Sequence, residues 1–245
     1  MTSRESTRFL PLEQEHPSQR SVADWFQLLT YGAVTWPWLL KSLYGGSNKA
    51  RAALLARLGL AADALPNLGS WKADIGFLNV IADHVLDLKP DYVVELGTGA
   101  SSLIISRALQ INGKGKLLSV EQHREFAAAT QLWLTDHGLD AEIRHSPLRP
   151  APKGWPMVWY DHGPLPHKID LLIIDGPPWT IHPLVRGSAE TLFDRMTVGG
   201  VILLDDAARP GEKVVARRWR KKWPGFEFKL VHAGSKGTLI GRRLR

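Results

Sequence analysis

Four short apolar runs punctuate the chain: Tyr92–Leu96, Lys116–Val120, Asp170–Ile174 and Val201–Leu204. Each is rich in Val, Ile or Leu, the composition of a strand buried on both faces. Helical patterns lie between them at Ser101–Gln110, Arg124–His137, Leu184–Met196 and Glu212–Lys222, and Ala141–His145 reads as a weaker strand. A helix over Ile75–Leu88 leads into the first run, with Pro90 marking its end. The βαβα alternation specifies an α/β fold of Rossmann-like kind, a doubly wound and mostly parallel sheet with ligands at the carboxyl ends of its strands. The ending breaks the alternation. Phe226–Val231 and Gly237–Ile240, joined by the turn-like His232–Lys236, read as an antiparallel C-terminal hairpin and bring the sheet to seven strands.

Residues 1–68 precede this pattern and read as an N-terminal helical extension or cap; 69–245 form the sheet domain. The stretch Trp25–Tyr44 carries three of the ten Trp, but Gly32, Pro37 and Lys41 interrupt it, so it is too broken for a membrane span. Pro37 should kink any helix there. The roles open to the stretch are a lid over an acceptor, a peripheral membrane contact, or packing on the sheet or on a second copy in a homo-oligomer.

With 245 residues and no cysteine, the chain excludes disulfides, thiolate zinc sites, iron–sulfur clusters and a cysteine nucleophile. Any metal would be held by oxygen or imidazole. The N-terminal stretch is too polar for a secretory signal, which leads to the expectation of a cytoplasmic protein. Net charge is +7, and residues 212–245 hold 11 basic residues against 2 acidic ones. That end reads as a solvated helix face with a polar tail, or as a patch for phosphate or nucleic acid.

The strongest local motif is Val94–Ser102, a strand that ends in Glu95 and turns through Gly97-Thr98-Gly99 into a helix. Glycines allow the tight turn and close approach to a ligand. Glu95 would repel a pyrophosphate, yet it suits a sulfonium ligand that carries an ammonium group. The loop resembles the E-x-G-x-G motif of class I S-adenosylmethionine-dependent methyltransferases, whose sheet also closes with a hairpin. The resemblance implies that Glu95, Gly97, Thr98, Gly99, Ser101 and Ser102 hold S-adenosylmethionine, with Asp175 bordering the same cleft. Glu121, 24 positions beyond Gly97, would take the ribose hydroxyls, and Ser146 and Leu148 would line the adenine pocket.

Asp175 follows the fourth apolar strand of the parallel set, and Asp205 and Asp206 follow the fifth. Three carboxylates at one edge repel one another unless protons or a cation neutralise them, and oxygen ligands of this kind suit Mg²⁺. The trio resembles that of metal-dependent O-methyltransferases, which implies Mg²⁺ on Asp175, Asp205 and Asp206 and a small hydroxylated or sugar-like acceptor. Asp175 and His182 are then the candidate catalytic residues, with His162 a second histidine near by. The family's lysine or second acid falls here on Pro177, Pro178 and Trp179, which leaves the base unassigned. Trp155–Asp161 adds a likeness to a bacterial branch of the class I methyltransferases. A rival reading comes from Gly176-Pro-Pro-Trp179, which looks like the Asp-Pro-Pro-Trp signature of nucleic-acid N-methyltransferases. With the basic C-terminus it would point to RNA or DNA, although Gly176 has no side chain to accept from an amine.

Overall fold

The computed structural model describes residues 21–65, 68–69 and 73–245. The chain runs α1 (Val22–Ser42), α2 (Asn48–Leu58), α3 (Ile75–Leu88), β1 (Tyr92–Leu96), α4 (Ala100–Asn112), β2 (Lys116–Glu121), α5 (Arg124–Asp136) and β3 (Glu142–His145). It continues through β4 (Leu148–Pro150), β5 (Val158–Tyr160), β6 (Ile169–Ile174), a 3₁₀ segment (Val185–Arg195), β7 (Met196–Leu204), α6 (Pro210–Lys222), β8 (Phe226–Val231) and β9 (Thr238–Arg243).

Seven strands form one sheet in the order β3-β2-β1-β6-β7-β9-β8. The first five in that order run parallel, and β9 runs antiparallel to both β7 and β8. The expected seven-stranded, doubly wound sheet with its closing hairpin is therefore present. Strand residues alternate between two cores. Val93, Leu171, Ile173, Val201 and Leu203 lie in one core with residues of α2, α3 and α4, among them Leu54, Phe77, Leu78 and Ile104. Val94, Leu96, Leu172, Ile174, Ile202 and Leu204 lie in the other, with Phe193 and Trp219. Burying both faces explains why these strands read as continuous apolar runs.

α3 occupies the range expected from sequence, with the Asp74 carboxylate accepting from the Phe77 N–H at 2.9 Å as its cap. α2 buries Leu54, Leu55 and Leu58 in the same core as α3 and α4. Two segments differ from the sequence reading. Leu184–Met196 forms a 3₁₀ helix over Val185–Arg195, a long run for that geometry. The connection from β3 to β6 carries the antiparallel β4–β5 ribbon, with Leu148 opposite Tyr160. α1 runs through Pro37 as one helix. Among the described residues no helix is long and apolar enough to cross a membrane.

Candidate active site

The strand order reverses between β1 and β6, which opens a crevice at their carboxyl ends. There the Asp175 N–H donates to the Leu96 carbonyl at 2.9 Å, and the Gly176 N–H donates to the same oxygen at 2.6 Å. The two loops touch. Gly97 has φ +91°, and a Cβ on it would lie 2.7 Å from the Gly176 nitrogen, so both its conformation and its space demand glycine.

Glu95 sits beneath this loop, fully buried. Its Oε2 accepts from the Ser102 hydroxyl at 2.5 Å, while Oε1 is buried with no hydrogen-bond partner among the described residues. Ser102 also bonds Thr98 Oγ1 at 2.8 Å and accepts from the Gly99 N–H at 3.0 Å, which ties the glycine loop to the acid below it. Burial pushes the Glu95 carboxyl up to about 7, against the lowering pull of the Ser101, Ser102 and Ser119 hydroxyls. Glu121, at the end of β2, accepts from the Thr98 N–H at 3.3 Å and from the His123 N–H at 3.0 Å. Burial raises it to about 7 as well, although those backbone donors oppose the shift. The Ser146 N–H donates to the Glu121 carbonyl at 2.7 Å, and Leu148 is buried in the β4–β5 ribbon, so the loop that follows β3 lies beside Glu121.

Asp175, Asp205 and Asp206 do come together, with one oxygen from each lying within 4.8 Å of the others. Their surroundings are not those the sequence suggests. Arg186, from the 3₁₀ segment, places Nη1 3.0 Å from Asp206 Oδ2 and Nη2 3.2 Å from Asp175 Oδ1. Arg209 Nη1 lies 2.8 Å from Asp206, and Lys236 Nζ lies 3.8 Å from Asp205 and 3.6 Å from Asp206. All three basic residues are buried. Asp206 has φ +59°, a left-handed turn that Asp tolerates better than most residues. Burial would raise Asp206, yet Arg209, Lys236 and Arg186 hold it at about 2. Burial raises Asp175 to about 6 despite Arg186, and it raises Asp205 further, helped by the Asp206 charge.

No local sequence signal marks any of the three cations. Lys236 belongs to the hairpin turn, which docks on the loop after β7 through Ala207 N–H to Gly237 O (2.9 Å) and Ala208 N–H to Lys236 O (3.0 Å). Read from sequence, its charge counts with a solvated tail. Arg186 and Arg209 lie where no period sets them apart.

His182 is buried, with Nδ1 accepting from the Leu184 N–H at 3.1 Å and Nε2 facing Asp24 of α1 at 3.8 Å. That lone pair is engaged, and the other nitrogen points to α1, so the arrangement favours Asp175 over His182 as a proton acceptor. His162 has Nδ1 2.7 Å from the Gly163 carbonyl oxygen, in an exposed loop bond. Tyr160 enters the sequence reading only as part of Trp155–Asp161. Its hydroxyl is buried without a hydrogen-bond partner among the described residues, and a Cβ at position 176 would collide with that oxygen. Burial raises the phenol, and the Glu121 and Asp175 charges add to the shift while Arg186 opposes it.

Residues 94–207 match the family described as a methyltransferase domain. A comparison with curated proteins gives no match. Among solved structures, the chain resembles an O-methyltransferase from Bacillus cereus in complex with SAH, at TM-score 0.55 and 14% identity over 88% of this chain and 99% of that one. It also resembles an SAH-bound methyltransferase from Podospora anserina, at TM-score 0.53 and 14% identity over 93% and 99%. A third is an O-methyltransferase from Streptomyces achromogenes involved in tomaymycin synthesis, in complex with SAM, at TM-score 0.51 and 14% identity over 92% and 100%. At these identities the likeness establishes the fold.

Proposed function

We propose that the chain, whose residues 94–207 match a methyltransferase domain on a class I fold, is an S-adenosylmethionine-dependent methyltransferase that methylates the hydroxyl oxygen of a small acceptor without a divalent metal. The observation that carries the cofactor assignment is the orphaned, buried Oε1 of Glu95 at the β1–β6 crevice. A buried carboxylate oxygen without a partner is costly, and the ammonium group of S-adenosylmethionine would satisfy it. Glu121 keeps a lone pair on each oxygen for the ribose hydroxyls, Ser146 and Leu148 flank the adenine side, and Gly97 lets the backbone come close. When bound, the cofactor supplies a methyl carbon on a positively charged sulfur, open to in-line attack by an acceptor oxygen.

Asp175 is the base in this reading. Arg186 fixes its carboxylate at 3.2 Å, and its position near about 6 leaves it ionised at neutral pH and able to take the hydroxyl proton. The spread of the three aspartates would suit Mg²⁺, but their chemistry does not fit it. Two guanidinium groups and an ammonium already face those oxygens, so a divalent ion would enter against three buried cations. The nucleic-acid reading loses its support at Gly176, where the Tyr160 hydroxyl fills the space an Asp side chain would need.

Calorimetric titration of S-adenosylmethionine and S-adenosylhomocysteine, with Mg²⁺ and with EDTA, tests both halves. Micromolar binding that is indifferent to EDTA, and lost in Gly97→Arg, is expected; a screen of phenols and sugars for methyl acceptance follows. Absence of binding overturns the cofactor assignment, and turnover abolished by EDTA overturns the metal-free one.

A further inference from the structure

α1 has two rows of side chains on opposite faces. Asp24, Leu28, Tyr31, Thr35 and Trp38 form the inner row. Within it Asp24 lies 3.8 Å from His182, Thr35 is buried, and Trp38 lies under the Lys213 ammonium of α6, 5.5 Å from the ring centre. The outer row is Val22, Phe26, Leu29, Ala33, Trp36 and Leu40, continued by Leu43 at the C-cap, every one of them exposed, and the large ones are 57% to 87% accessible. The spacing of the outer row alternates four and three residues from Val22 to Leu43, an unbroken heptad pattern. We propose that this outer row is a helix–helix seam on which two copies of the chain form a two-fold symmetric dimer.

The period selects the occupant. An apolar repeat of 3.5 residues keeps a stripe facing a second helix along its length, whereas a lipid surface imposes no such register. A bilayer-binding helix also presents a cationic polar face, and α1 holds one acid and one base, Asp24 and Lys41. The exposed area of the outer row is on the order of 800 Å² per chain, above the roughly 300–600 Å² of an ordinary monomer's largest patch. Only its complete burial would reach the share that each partner gives to a standard interface, about 800 Å². Thr30, Gly32 and Pro37, which flank the middle of the row, carry no charge that would repel an identical helix. The midpoint falls at Gly32 and Ala33, among the smallest residues of the helix, where two backbones can approach most closely. Ala33 consequently meets its own copy in a parallel pair and in a centred antiparallel one.

Sedimentation velocity of the full chain at micromolar concentration tests the seam. The wild-type chain is expected to be a dimer, and Leu29→Glu and Trp36→Glu monomers with unchanged circular dichroism. Because the chain has no cysteine, Ala33→Cys should cross-link to itself under mild oxidation, and Ala23→Cys, off the seam, should not. A monomeric wild type overturns the proposal, as does a dimer that survives both glutamate substitutions or fails to cross-link through Ala33→Cys. A monomer that co-sediments with phosphatidylcholine–phosphatidylglycerol vesicles overturns it in favour of a bilayer.

Discussion

Two nests of acids, all buried but the partly buried Asp175, share the carboxyl edge of one sheet and have opposite surroundings. At β1 and β2, Glu95 and Glu121 are met by hydroxyls and backbone N–H groups, and one carboxylate oxygen is left without a partner among the described residues. At β6 and β7, Asp175, Asp205 and Asp206 are met by two guanidinium groups and an ammonium. The first nest has no cation among the described residues, whereas the second is charge-compensated within the chain, although Asp205 Oδ2 and Asp206 Oδ1 face Lys236 at 3.8 and 3.6 Å without a hydrogen bond. A cluster of carboxylates is thus no sign of a metal until the cations around it have been found.

Removing charge from the two nests should have opposite consequences. Arg186→Met strips Asp175 and Asp206 of their shared partner, and breaking a buried pair in this way costs about 3–5 kcal/mol. Urea unfolding should report a loss of that size, together with a gain of Mn²⁺ binding detectable by electron paramagnetic resonance, since Asp175 then loses its ion-pair partner and only Arg209 and Lys236 remain against the other two acids. Glu95→Gln removes a carboxylate that has no cationic partner among the described residues, and at neutral pH it should leave stability unchanged or raised. Equal losses in the two variants would erase the distinction between the nests.

How much of this is legible in the sequence follows the range of the forces involved. The strands are legible because burial on both faces writes an apolar run into each, and α3 because its range and the Pro90 that ends it lie within one segment, whereas its Asp74 cap is seen only in the structure. The glycine loop and Glu121 are legible for the same local reason. The β4–β5 ribbon is not: its strands have three residues each, and Pro and Gly fill the connection. Nor is the cation set, because Arg186 reaches across 11 and 20 positions to Asp175 and Asp206, and Lys236 arrives on a hairpin turn. The carboxylates mark themselves by position at strand ends; their partners carry no such mark.

A smaller effect is expected from Glu121→Ala, which leaves the glycine loop in place but removes the acceptor of the Thr98 and His123 N–H groups and, in the function proposed above, of the ribose. Losing a charged hydrogen-bond acceptor costs about 1.5–3 kcal/mol, or roughly ten- to a hundred-fold in affinity. Calorimetry should show that weakening for S-adenosylmethionine. Asp175→Asn, by contrast, should bind the cofactor normally and lose turnover. If Glu121→Ala binds as tightly as the wild type, the open nest is not the cofactor site.

A dependence on pH probes the nests without a mutation. Glu95 and Glu121 stand near 7 in the folded chain against an ordinary 4.5, because burial disfavours their charged forms. Between those values the native chain holds protons that the unfolded chain has released, so their contribution is present in full below pH 4.5 and is lost as pH rises through 7. Asp206, held at about 2, contributes above its ordinary 3.8 and is level over this window. The free protein should therefore melt at progressively lower temperature from about pH 5 to about pH 8. A bound ammonium group and ribose hydroxyls favour the ionised acids, so saturating S-adenosylhomocysteine should flatten the decline. What slope remains belongs to Asp175, Asp205 and Glu212, whose burial also raises them and whose partners are fixed within the chain. Identical slopes with and without the ligand would place it away from Glu95 and Glu121.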